Sequence, residues 1–180
     1  MPALLFPDNT VLINFAIIDR MDLLRKLVNG HGHWCATVAT ECHESWRRTE
    51  LAALAEAASI FGTPLSPDRT ENLDAHLLRD ELAIPVDAAH KHLGESETIA
   101  IMLRRRLNGF FVTDDREAQR LAARNGITAI TTWRLLQAAA RTEMVEADTL
   151  WTYVQILREA KRGTPPTVHD RNSFDNWLDP

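Results

Sequence analysis

Short continuous apolar runs alternate along the chain with longer repeats at helical spacing. Thr10, Val11, Leu12, Ile13, Asn14 and Phe15 form the first such run, after Pro7-Asp8-Asn9. Unbroken apolar character predicts a strand buried on both faces, as in a parallel sheet. Ile17, Ile18, Met21, Leu23, Leu24, Leu27 and Val28 then recur at helical spacing up to the stop at Asn29-Gly30. Residues 33–38 read as a second strand. A long helical pattern follows over residues 40–61, closed by Gly62-Thr63-Pro64.

Pro67-Asp68-Arg69-Thr70 restarts the chain, Leu73, Leu77, Leu78 and Leu82 predict a helix, and Ile84-Pro85 breaks it. Residues 95–107 are helical by the spacing of Ile99, Met102, Leu103 and Leu107. Residues 109–113 predict a strand, 117–125 a helix ending at Gly126, and 127–131 a last strand. Residues 133–141 and 147–162 are two further helices, and a polar tail follows Gly163-Thr164-Pro165-Pro166. Phe174 and Trp177 lie three apart in that tail, and either dock on the domain's own core or face a partner. The order predicts an α/β fold: a three-layer α/β/α arrangement around a central parallel sheet of about four or five strands. The core of the domain is expected over residues 1–132, with residues 133–180 packed on the same single domain.

The length of 180 residues suits one domain with a real core. No apolar run is long enough for a membrane span, and the apolar opening Ala3-Leu4-Leu5-Phe6 lacks a basic leader segment. A cytoplasmic address with no membrane partner is therefore expected. Cys35 and Cys42 are too few for a disulfide framework. Together with His31, His33 and His43 they form a cluster zinc would accept, but its spacing matches no standard finger. A cysteine beside Trp34 reads as a small buried apolar group. A net charge of −5 gives no sign of a nucleic-acid partner.

Acidic residues stand at the junctions. Asp8 precedes the first apolar run, Glu41 opens the helix after the second, Glu95 and Glu97 follow Gly94, and Asp114-Asp115 follow the strand over 109–113. In parallel sheets functional groups gather at the carboxyl ends of the strands. Clustered carboxylates repel unless a cation joins them, and hard divalent ions prefer oxygen ligands. Such an ion activates water and neutralises charge developing on a phosphoryl group, so this donor set suits phosphodiester hydrolysis. The competing reading is ordinary: most of 25 acidic residues are solvated, and an acid near a helix start is often a cap.

Four segments also resemble those of one protein family. Asp8-Asn9-Thr10-Val11-Leu12-Ile13 is similar to the opening signature of PIN domains. Val38-Ala39-Thr40-Glu41 resembles their second segment, Leu93-Gly94-Glu95-Ser96-Glu97-Thr98-Ile99-Ala100 the third segment of one subgroup, and Val112-Thr113-Asp114-Asp115 with Arg120, Ala123 and Gly126-Ile127 its last. The resemblance runs from Phe6 to Thr132 and fades beyond Trp133. It implies a metal-dependent ribonuclease using Mg²⁺ or Mn²⁺ on RNA, often a toxin, often a homodimer and neutralised by a small antitoxin. It carries a catalytic role onto Asp8, Glu41, one of Glu95 and Glu97, and Asp115, with Asp114 as a further metal ligand and Asn9, Thr10 and Thr113 in support. Glu97 keeps the family's spacing to Asp115 and is preferred over Glu95; the two point roughly 200° apart on a helix. The opening departs from the family in placing its hydroxyl at Thr10, one position late. That departure favours the alternative, a PIN-fold module that binds RNA or protein without chemistry. A third reading is a phosphatase or nuclease on another α/β fold.

Basic candidates for RNA are Arg116 and Arg120, which form one helical stripe with Arg124, the run Arg104-Arg105-Arg106, and Trp46 with Arg47 and Arg48. His90 and His92 near the acid-rich helix are weaker candidates for phosphate contact.

Overall fold

The computed structural model describes residues 3–83, 86, 88 and 91–179. The first strand is β1 (Leu4–Pro7), paired in parallel with β2 (Gly109–Val112), which pairs in parallel with β3 (Thr128–Ile130). The order is β1-β2-β3, with Leu4 opposite Gly109 and Phe110 opposite Thr128. A Cβ at Gly109 would collide with the Leu4 carbonyl, so the close approach of β2 to β1 requires glycine. Among the described residues this sheet has three strands, not four or five. The segment expected as a strand over 33–38 touches β1 only briefly: Leu5 N–H donates to His31 O and His33 N–H to Leu5 O, both at 2.9 Å. The helix that begins at Ala36 ends the pairing.

The run over residues 10–15 is helical. It belongs to α1 (Asn9–Ile17), where Val11, Leu12, Asn14, Phe15 and Ala16 are buried. A helix buried on nearly all sides carries no polar stripe, so its sequence reads as an unbroken apolar run. The correction moves Asp8 from ahead of a strand to the end of one: its N–H donates to Val112 O at 2.8 Å, and it caps α1. Next come α2 (Met21–Val28) and α3 (Ala36–Trp46). The single helix expected over 40–61 is three pieces: the end of α3, a 3₁₀ segment (Thr49–Glu56) and α4 (Ala57–Phe61). Non-helical Leu51 breaks it and seats Leu51 and Leu54 in the core.

The remaining helices are α5 (Arg69–Leu82), α6 (Leu93–Arg104), α7 (Arg116–Arg124), α8 (Thr132–Arg141), α9 (Ala147–Glu159) and α10 (Arg171–Leu178). The break expected at Ile84-Pro85 lies outside the described residues. Strand side chains alternate between faces. Phe6 and Phe111 pack with Ala75, Ile99, Ala118 and Leu121 of α5, α6 and α7. Leu5, Val112 and Ile130 pack toward α1, α2, α8, α9 and α10. The chain is therefore α/β with a parallel sheet between two helical layers. The tail is no loose extension, since α10 buries Phe174 against Trp151 and Trp177.

Ion pairs join α5 to α6. Arg105 holds buried Glu71 through two bonds of 2.7 and 2.8 Å, and Arg104 reaches Asp74 at 2.5 Å. These two arginines of the run at 104–106 are structural ties, which removes them from the candidates for RNA.

Candidate functional site

Asp8 stands at the end of β1 and Asp115 two residues past Thr113, which continues β2 through its N–H to Ile130 O at 2.9 Å. Both therefore lie at the carboxyl edge of the sheet. Asp8 is 3% exposed. Thr10 Oγ1 donates to its Oδ2 at 2.5 Å, and Thr113 Oγ1 does so at 3.4 Å. The hydroxyl displaced to Thr10 thus still reaches the first acid, and the departure from the family's opening gives no support to a non-catalytic module. Asp115 caps α7, its Oδ1 accepting from Ala118 N–H at 2.8 Å.

Glu41 enters from the second turn of α3, not from its start. Its carboxylate lies against Gly94: a Cβ there would stand 3.2 Å from Glu41 Oε2 and 3.2 Å from Val38 Cγ2. Glycine at 94 therefore lets the start of α6 approach α3 closely enough to bring Glu41 beside Glu95. Ser45, one turn after Glu41, accepts from Asn9 Nδ2 at 3.2 Å and ties α3 to α1.

The electrostatics define the group. Burial pushes the Asp8 carboxyl above its usual range, the Thr10 hydroxyl and the N–H groups of Asn9 and Thr10 oppose this, and the charge of Asp115 adds to it. Glu41 is raised to about 7 by burial and then by Asp8, Glu44 and Glu97. Glu95 is raised to about 8 by burial, then by Asp8, Glu41 and Asp115. Asp8, Glu41 and Glu95 thus share one field, to which Asp115 adds its charge, and their ionised forms are disfavoured in it.

Two acids of the expected set are turned elsewhere. Glu97 accepts from Thr37 N–H at 3.1 Å and Thr37 Oγ1 at 2.7 Å, so it closes the first turn of α3. The charges of Asp8 and Asp115 act on Glu95, which favours Glu95 as this pair's member of the group, while Glu97 acts on Glu41. Asp114 accepts from Asn14 Nδ2 at 2.8 Å, Thr132 N–H at 2.9 Å and Thr132 Oγ1 at 2.5 Å. It anchors α8 to α1, and its oxygens are occupied by protein donors.

The donor set fits a hard divalent ion. It is all oxygen, it is destabilised as it stands, and Asn9 Oδ1 is a further buried oxygen with no hydrogen-bond donor. Among the described residues no three His, Cys, Asp or Glu side chains are close enough to hold a metal ion as placed. Mg²⁺ commonly takes one or two carboxylates and completes its shell with water, so a closed cage is not required. Zinc at the cysteines does not fit. Cys35 and Cys42 are buried, and burial raises both thiols, Cys42 to about 11.

Of the basic candidates, the side chains of Arg47, Arg48 and Arg116 make no hydrogen bond or ion pair among the described residues. Arg120 pairs with Glu117, and Arg124 with Glu81 at 3.1 Å. Arg116 and Arg120 line an open groove of about 790 Å³ with Gln119, Gly126 and Thr128. Trp46 is 42% exposed at the end of α3, its ring 5.4 Å from that of His43. His92 begins α6 with its Nδ1 3.8 Å from Glu95 Oε1, and His90 lies outside the described residues. The sequence reading missed Asn14 and Arg162. A lone asparagine in an apolar run is a signal that could have found the first; Arg162 gives no local signal.

The chain is thus a three-layer α/β domain with Asp8 and Asp115 at the carboxyl edge of its parallel sheet. A profile of the family described as a PIN domain matches residues 6–171, and the chain belongs to that family. PIN domains are generally nucleases and typically use divalent metal ions. The match continues through α8 and α9, well past Thr132, where the sequence resemblance faded. No curated protein matches the chain. Among the described residues no helix is long and apolar enough to cross a membrane.

Proposed function

We propose that this chain is a divalent-metal-dependent endoribonuclease. The observation that carries the reading is the convergence of acids from four segments: Asp8 and Asp115 stand at the carboxyl edge of the sheet, Glu41 lies against Gly94 at the start of α6, and the carboxyls of Asp8, Glu41 and Glu95 are raised there. These four residues would hold Mg²⁺ or Mn²⁺ when it binds. The bound ion supplies an activated water and neutralises charge developing on the scissile phosphate. The residues divide the remaining work. Thr10 and Thr113 fix the orientation of Asp8 by donating to one of its oxygens, Oδ2. Asp115 is held by the N-terminus of α7, so its position follows the helix. Arg116, the first residue of that helix and next in the chain to Asp115, would meet an RNA phosphate, and Arg47 and Trp46 at the end of α3 would be further contacts for RNA.

The test is cleavage of structured and unstructured RNAs with Mg²⁺ or Mn²⁺. Asp8→Asn should lower the rate by roughly three orders of magnitude, the several kcal/mol a correctly held cation contributes. Wild-type protein that cuts no RNA with either metal overturns the reading. The resemblance further supports the role of a toxin, acting in the cytoplasm as a homodimer and held by a small antitoxin. Growth arrest on expression, absent in Asp8→Asn and relieved by a short adjacent reading frame, is the result expected of that role.

A further inference from the structure

The end of α9 is built to deliver one side chain to the base of the acidic site. Ala160 caps the helix and Lys161 follows in the left-handed conformation, φ 58°. Lys161 N–H donates to Arg158 O at 3.0 Å and Arg162 N–H to Leu157 O at 2.8 Å, the two bonds of a Schellman turn. Glycine is the usual residue at that left-handed position; here lysine fills it.

The turn carries Arg162 back across α1. Its Nε donates to Asn14 Oδ1 at 2.6 Å and its Nη2 to Thr10 O at 3.1 Å. Each contact leads to an acid within one further bond. Thr10 is the residue whose hydroxyl holds Asp8. Asn14, 1% exposed, passes its amide to Asp114 Oδ2 at 2.8 Å and to Thr132 Oγ1 at 3.1 Å. Asp114 precedes Asp115 in the chain. Accepting from Arg162 also fixes which end of the Asn14 amide is oxygen, and so aims its NH₂ at Asp114.

We propose that Arg162 is a positioning residue of the acidic site. From outside the four acidic segments, it sets Asp8 through Thr10 and Asp115 through Asn14 and Asp114. The C-terminal helices are then part of the metal-holding architecture and not only a cover for the core. This inference rests on the nuclease reading above.

The experiment uses the full chain as wild type, Asp8→Asn, Arg162→Met and Arg162→Lys. Three quantities are read: Mn²⁺ affinity from the paramagnetic signal of the free ion, kcat and KM on RNA, and the melting temperature in EDTA. Arg162→Met should weaken Mn²⁺ binding and lower kcat by about 10-fold or more, the usual effect of removing a group that orients metal ligands. KM for RNA should stay near the wild-type value. Arg162→Lys should fall between, because an ammonium keeps the charge but cannot span two acceptors as a guanidinium does. If Arg162→Met does not fold, Arg162→Lys carries the test by the same readouts. An arginine that only staples α9 to α1 predicts a lower melting temperature with wild-type Mn²⁺ affinity and kcat, and that result overturns the proposal. If Asp8→Asn binds Mn²⁺ like the wild type, or the wild type cuts no RNA, the nuclease reading itself fails and this inference falls with it, whatever the Arg162 variants do.

Discussion

Four carboxylates gathered without a cation should make the metal-free protein lose stability as pH rises toward neutrality. Glu41 and Glu95 are raised to about 7 and about 8 from an ordinary value of 4.5. Between pH 5 and 7 the folded chain therefore keeps protons that the unfolded chain has released. Stability changes with pH in proportion to protons bound unfolded minus protons bound folded, so the slope is negative across this window. The acids that oppose this, Asp22, Glu71, Asp74 and Asp170, are lowered by arginine or by backbone and hydroxyl donors. Their contribution is lost only as pH falls below the ordinary carboxylate range, so they do not enter between pH 5 and 7. Two fully retained protons would give about 2.7 kcal/mol per pH unit. Both acids respond to Asp8, Glu95 also responds to Glu41, and Glu41 is only partly buried, so about one proton separates the states, about 1.4 kcal/mol per pH unit. Urea unfolding in EDTA at pH 5, 6 and 7 measures this directly. Saturating Mn²⁺ should abolish or reverse the slope, because the ion binds the ionised acids of the folded chain alone. Glu95→Gln should roughly halve the slope, and Glu97→Gln, which removes only one of the lesser charges raising Glu41, should reduce it less. Stability in EDTA that is flat or rising from pH 5 to 7, or a Glu95→Gln slope equal to the wild type, would refute the reasoning.

Two further substitutions separate site from scaffold. Gly94→Ala places a methyl 3.2 Å from the Glu41 carboxylate, while alanine favours the helix by about 1 kcal/mol. RNA cleavage should fall at least about 10-fold with little change in urea midpoint, since misplacing a reacting group by under an ångström is costly. Phe174→Ala empties a fully buried position between Trp151 and Trp177 and should cost about 3–5 kcal/mol by urea unfolding, or release α10 to protease.

The second half of the fold was the more legible. β2, α7, β3 and α8 each join an apolar run to a local stop, such as Asn125-Gly126, and fall within a residue or two of their expected bounds. The first half was misread where burial erases periodicity. α1 is covered on nearly every side, so a helix looked like a strand, and the real β1 hid in an opening too short to stand out. The acidic junctions were visible because acids follow apolar runs there. Which acid of each pair faces the others was not visible, because rotation about a helix axis is fixed by tertiary partners. Spacing along the chain favoured Glu97; Thr37, sixty positions away, takes it. Arg162 was illegible for the same reason, 148 positions from Asn14.

The paired acids express one constraint. A site that needs several bare carboxylates is unstable, so the backbone carrying them has to be over-determined nearby. In both Glu95/Glu97 and Asp114/Asp115 one acid lies in the field of Asp8 while the other is held by protein donors. Asp114 accepts three hydrogen bonds and Glu97 two, and a bond to a charged acceptor contributes about 1.5–3 kcal/mol. Those bonds fix the chain beside each exposed acid, one at the start of α8 and one at the start of α3. A cation on an anchoring acid would compete with the bonds that position its neighbour. Doubling of acids at these junctions then divides into one acid in the shared field and one anchor.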